Sequence, residues 1–277
     1  MFKHILVHVP STQSARPVIE CSTSLAAALG ASLDAVAFGY EPVTAELAFE
    51  GAAAVAAVVE VQRERALQEA NSALAVFEAE AKRSSVPYTC RGYSAMPAQA
   101  AETMEGLSRL YDLTVASQPE PAKSVYDDVI PEAVLFNSGG PVLVVPYIHR
   151  GPFSAKRIAI CWDGSRSAAR AVRDAMPFLQ QADAVDALSV NEDPDAVETS
   201  CTALVAHLGR RGVNASAQRL TSERANVHNT ILSAVADFGT NLLVMGGYGH
   251  SRLREFVLGG VSRGIFQSMT IPVLMSH

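Results

Sequence analysis

Arg157-Ile158-Ala159-Ile160-Cys161-Trp162-Asp163-Gly164-Ser165 is the stretch that decides the fold. It is a short, nearly unbroken apolar run ended by Asp-Gly-Ser. Such a run reads as a strand buried on both faces of a parallel sheet. Ser165 to Leu179 then reads as a helix with Ser165 as its N-cap, and Ala184 to Val190 as the next strand. The same order stands at the N-terminus. Ile5-Leu6-Val7-His8-Val9 is a strand, Ser14 to Leu29 a helix stopped by Gly30, and Leu33 to Phe38 a strand. Ile158 follows Ile5 by 153 residues.

The ends of the two halves also correspond. Leu113-Thr114-Val115-Ala116-Ser117 parallels Leu242-Leu243-Val244-Met245-Gly246 at an offset of 129, and Pro141 to Val145 parallels Pro272 to Met275 at 131. The shrinking offset (153 − 129 = 24 residues) puts extra chain in the first half, around Glu41 to Glu64. Strands alternating with helices imply a parallel sheet with helices on both faces. The expected architecture is therefore α/β, with two tandem open-twisted halves of five strands each. Residues 1–147 and 157–277 are the expected domains, joined by a linker at 148–156. The closing strands near Val142–Val145 and Val273–Met275 are expected to pair the halves about a pseudo-twofold axis, which would satisfy otherwise bare edges. A homodimer of whole chains stays open.

Composition narrows the function. Hydrophobic residues make up 49% of the 277 and charged residues 18%, enough for two packed cores. The net charge of −6, with no basic stripe, argues against nucleic acid. No apolar run approaches the ~20 residues a membrane helix needs, and the N-terminal run is too short for a signal peptide. Cys21, Cys90, Cys161 and Cys201 are far apart and make no Cys-x-x-Cys; a reduced, cytoplasmic protein is expected. Within Ala52 to Arg83, Leu67, Ala70, Leu74, Phe77 and Ala81 are spaced as one helix face. That face is expected to pack on its own domain, with a dimer contact as the alternative.

The chemistry lies in Gly246-Gly247-Tyr248-Gly249-His250-Ser251-Arg252 and its continuation to Gly259-Gly260-Val261-Ser262. This segment follows a strand and leads into an apolar helix from Val261 to Ser268. Glycine lets the backbone approach a ligand closely, and the N–H groups of a helix start favour an anion. A dinucleotide Gly-x-Gly-x-x-Gly from Gly247 fails at Arg252, and no Gly-Lys-Ser/Thr triplet exists for a Walker A loop.

The spacing Gly246-x2-Gly249-x9-Gly259 resembles the nucleotide loop of the universal stress protein family. So do the Asp163-Gly164-Ser165 opening and the Pro-Val-Leu closing strands. The resemblance implies Rossmann-like domains, akin to adenine nucleotide α-hydrolases, that bind ATP, or AMP or ADP, with Mg2+ as an optional companion. By it, Asp163 meets the adenosine end and the backbone of Val190 meets adenine. Gly246, Gly249, Gly259, Gly260, Val261 and Ser262 would surround ribose and phosphates. His250 and Arg252 would either meet a phosphate or face solvent. Gly260 departs from the family's Ser/Thr, removing one hydroxyl contact worth about 0.5–1.5 kcal/mol unless Ser262 or Ser251 replaces it.

In the first half, Gly246, Gly249 and Gly259 become Ser117, Glu120 and Asp128, and Asp163 becomes Pro10. Carboxylates where phosphates would sit imply that this half has lost the site. His8 is expected to be a packed or polar-edge residue and Cys161 a small core residue. Asp127-Asp128 and Glu192-Asp193 are expected to be solvated loop charges rather than a magnesium site. No nucleophile–base arrangement stands out. A regulatory nucleotide-binding protein is therefore expected, with a slow ATPase and a nucleotide-free scaffold as alternatives.

Overall fold

The structure is a computed structural model that describes residues 2–11, 14–41, 52–120, 126–247 and 260–277, with the side chains of the long helix α2 described from residue 57. The first half runs β1 (His4–His8), α1 (Arg16–Leu29), β2 (Ser32–Tyr40), α2 (Ala52–Arg83), β3 (Tyr88–Ala95), α3 (Pro97–Ser108), β4 (Leu113–Ser117), α4 (Ile130–Asn137) and β5 (Val142–Val145). The second half repeats this as β6 (Arg157–Cys161), α5 (Arg166–Leu179), β7 (Ala184–Val190), α6 (Cys201–Gly209), β8 (Ala215–Leu220), α7 (Val227–Asp237), β9 (Leu242–Gly246), α8 (Gly260–Ser268) and β10 (Val273–Ser276).

The strands form one ten-stranded sheet in the order β3-β2-β1-β4-β5-β10-β9-β6-β7-β8. Each half is parallel within itself, the architecture expected of two Rossmann-like units in tandem. Among the described residues the single antiparallel seam is β5 against β10, with Val144 opposite Val273, Leu143 opposite Leu274 and Val142 opposite Met275. Leu143 and Leu274 are both fully buried and mark the pseudo-twofold axis. The seam gives each closing strand a hydrogen-bonded neighbour where an open edge would otherwise stand.

Local chemistry explains the elements. α1 opens with proline in its first turn and ends at Gly30 (φ 59°, ψ 44°), whose N–H bonds Ala26 O. That left-handed C-cap suits glycine. α5 starts at Ser165, whose hydroxyl accepts from Ala168 N at 3.2 Å, the N-cap read from the sequence. Helices α1, α2, α5 and α6 cover one face of the sheet, and α3, α4, α7 and α8 the other, giving two apolar layers that each run through both halves. Fully burying a Leu or Phe side chain contributes roughly 1.5–3 kcal/mol.

α2 carries the extra length of the first half. Ala70, Leu74, Phe77 and Ala81 are buried as the spacing requires, but Leu67 is 38% exposed, and Ala66 takes its place at 2%. Backbone contact is the cause. A Cβ added at Gly39 of β2 would fall 1.6 Å from Ala66 O, so the helix crosses β2 with its main chain pressed on a glycine. The small Ala66 sits on the line of closest approach, and Leu67 faces outward. The face does pack on its own domain.

Candidate functional site

In a sheet ordered 3-2-1-4-5, successive crossovers leave in opposite directions between the first and fourth strands, opening a crevice at their carboxyl ends. In the second half that crevice lies between β6 and β9. Cys161 is in register with Met245, so Asp163 and the pair Gly246-Gly247 emerge side by side. β7 flanks β6 with Leu188 opposite Cys161, which brings Val190 to the same end of the sheet. α8 enters from there with Gly260 exposed, Val261 half-buried and Ser262 buried. Topology thus gathers Asp163, Val190, Gly246, Gly260, Val261 and Ser262. Gly249, His250 and Gly259, with Ser251 and Arg252, lie outside the described residues.

Each of these positions has a local cause. Asp163 is exposed, and its Oδ1 accepts from Ser165 N at 2.9 Å, closing the turn that starts α5. Gly164 at φ +72° is the left-handed step of that turn. Trp162 is tied down by its Nε1, which donates to Thr199 O at 2.7 Å. Cys161 is partly buried, and its thiol is pushed up to about 12, first by burial and then by the Asp163 charge. That places it as a core residue, not a reactive thiolate.

The glycines divide by role. A Cβ added at Gly246 would meet Ala168 N at 2.5 Å and Ser167 C at 2.6 Å, so this glycine lets β9 touch the first turn of α5. A Cβ at Gly260 would meet nothing within 4 Å. No described neighbour therefore forces a glycine at the start of α8, where main-chain N–H groups are of the kind that suit an anion.

Other carboxylates are spoken for. Glu192 accepts from Cys201 N and, at 2.6 Å, from Arg219 Nε, so it fastens the start of α6 to β8. The Cys201 amide, then Arg219, hold its carboxyl below the usual range against the opposing effect of burial. Among the described residues no three His, Cys, Asp or Glu side chains gather as a metal site.

The corresponding place in the first half is packed with its own side chains. Pro10, at the position of Asp163, is buried. Asp127 is 2% exposed, which corrects the expectation of a solvated loop charge. Tyr40 donates its hydroxyl to Asp127 Oδ1 at 2.8 Å. His8 Nε2 lies 3.2 Å from the same oxygen, off the line of a hydrogen bond. Burial, then the Asp127 charge, drives the Tyr40 hydroxyl well above its ordinary pKa. Asp128 is used locally, accepting from Glu120 N at 3.2 Å. The sequence held one signal for this cluster: a histidine on a fully apolar strand needs a polar partner.

Residues 154–277 match the Universal stress protein family. This half of the chain belongs to that family. The tandem arrangement is also met in a universal stress protein from Archaeoglobus fulgidus DSM 4304. That structure has 15% identity and a TM-score of 0.71, and the match covers 98% of this chain and 95% of that one. A Pseudomonas aeruginosa UCBPP-PA14 protein given the same family name covers 99% of this chain and 93% of its own, at 14% identity and TM-score 0.59. A universal stress protein in complex with cAMP matches over 52% of this chain and 97% of its own, at 18% identity and TM-score 0.37. Among curated proteins none matches the sequence. At these identities the full-length likeness speaks for the fold of both halves, while family membership rests on 154–277. Among the described residues, no helix is long and apolar enough to cross a membrane.

Proposed function

We propose that the second half binds an adenine nucleotide (ATP, ADP or AMP, with Mg2+ accompanying the polyphosphate) and that the bound state has a regulatory role in stress. The observation that carries this reading is the start of α8 at Gly260, set by the topology at the crevice that Asp163 and Val190 share. Main-chain N–H groups there suit phosphate, and the Asp163 carboxylate suits ribose hydroxyls or the adenine amino group. Gly249, His250 and Gly259 complete the proposed contact set. The first half serves as a pairing partner, because Asp127, Tyr40 and His8 fill the equivalent space.

A nucleotide-free scaffold is the second reading. It is favoured by Asp163 Oδ1, which already serves the α5 turn, and by Gly246, whose missing side chain is accounted for by α5. Isothermal titration with ATP, ADP and AMP, with and without magnesium, decides between them. Saturable heat with at least one nucleotide is expected; none with any leaves the scaffold. Phosphate release above that of buffer would add slow hydrolysis.

A further inference from the structure

The two elements that frame the proposed site each contact the first half of the chain. Gly247, directly after β9, donates its N–H to Ser276 O at 2.8 Å, and its carbonyl lies 3.1 Å from His277 Nδ1. The His277 ring packs edge-on against Phe136 of α4, with centroids 5.0 Å apart. Leu135, the preceding residue of α4, fills the space over Gly247 so closely that an added Cβ would come within 2.9 Å of its methyl group.

α8 is held at its other end. Gln118, fully buried in the loop after β4, donates Nε2 to Phe266 O at 2.6 Å, while its Oε1 accepts from Tyr147 N at 3.4 Å. Ile265 O takes the N–H of Met269, so Phe266 O falls in the last turn, whose carbonyls α8 cannot satisfy by itself. Gln118 is thus a C-cap supplied across the seam. The pseudo-twofold axis relates the two contacts, since Gln118 corresponds to Gly247 and Leu135 to Phe266. The exchange of glycine for glutamine in the first half supplies the side chain that reaches the second.

We propose that the first half is a working part of the second half's ligand site: Gln118, Leu135 and Phe136 are positioning residues that hold Gly247 and α8 where an anion can be bound. This rests on the nucleotide reading above. By linkage, a nucleotide that tightens this frame also tightens the seam between the halves.

The test uses the full chain, with Mg-ATP as the probe and Gln118→Met and Phe136→Ala as variants. Gln118→Met keeps the bulk and removes the donor; Phe136 is 37% exposed, so its truncation spares the core. Each variant should weaken ATP about three- to ten-fold, the scale of one lost net hydrogen bond or packing contact. Amide hydrogen exchange should quicken at Gly247 and along Val261–Met269, with β6 and β7 unchanged, whereas a merely structural defect would loosen all of them. Wild-type affinity and unchanged α8 protection in both variants would overturn the proposal. If the wild type binds no nucleotide, the site reading fails, and exchange still judges the frame: faster exchange at α8 upholds it and unchanged exchange overturns it.

Discussion

Replacing Gly246 by alanine asks what this glycine is for. The new methyl carbon would stand 2.5 Å from Ala168 N and 2.6 Å from Ser167 C, both main-chain atoms of α5. Ordinary carbon contacts lie near 3.5–4.0 Å, so β9 and α5 would have to separate by about 1 Å. Rotamer changes cannot relieve a clash with backbone. Overpacking of this kind costs about 1–3 kcal/mol, occasionally more. At roughly 2–4 °C per kcal/mol for a chain of this size, the thermal midpoint should fall by about 2–12 °C. Gly260→Ala is the paired control. An added methyl there meets nothing within 4 Å, and the position is exposed at the start of α8. Alanine in place of glycine at a compatible helix position stabilises by about 0.4–1 kcal/mol, so this midpoint should hold or rise slightly. Both proteins would be followed by circular dichroism without added nucleotide, so that ligand effects play no part. Equal midpoints for the two variants would refute the assignment of Gly246 to helix contact and return it to the ligand loop alone.

The buried cluster of the first half should respond to truncation. Asp127→Ala leaves the Tyr40 hydroxyl without its acceptor and should cost about 1–3 kcal/mol in urea denaturation. Tyr40→Phe in the Asp127→Ala background should then cost less than alone, and additive losses would show that the two do not act together. Glu192 carries an acid-sensitive contribution. Its folded-state pKa is depressed, so its stabilisation is complete above the unfolded carboxyl value of about 4.3 and is lost as pH falls through the lower folded value. Glu192→Gln should be less stable than wild type at neutral pH and show a flatter acid limb below about pH 4; parallel curves would rule this out.

The amino-acid order alone determined the tandem architecture. Short doubly buried strands such as Ile158–Ile160 and Ile5–Val7, with a capped helix after each, are local signals, and their recurrence reveals the duplication. The pairing of Val142–Val145 with Val273–Met275 was legible because a closing apolar strand at a sheet edge needs a partner. Asp163, Val190 and Gly260 could be placed together because strand ends in an α/β sheet share one side. Tertiary structure decided what depends on contacts between distant segments. Leu67 matched the helical spacing but faces outward, since Gly39 lets the backbone of Ala66 come against β2. Asp127 looked like a loop charge, and only the fold brings Tyr40 and His8 to it. Gly246 read as a phosphate glycine, and the packing adds a separate reason for it, room for α5. Gln118 carried no motif at all: a cap that crosses the seam between two halves exists only once both have folded, because periodicity encodes which face of an element is buried but not which partner lies against it.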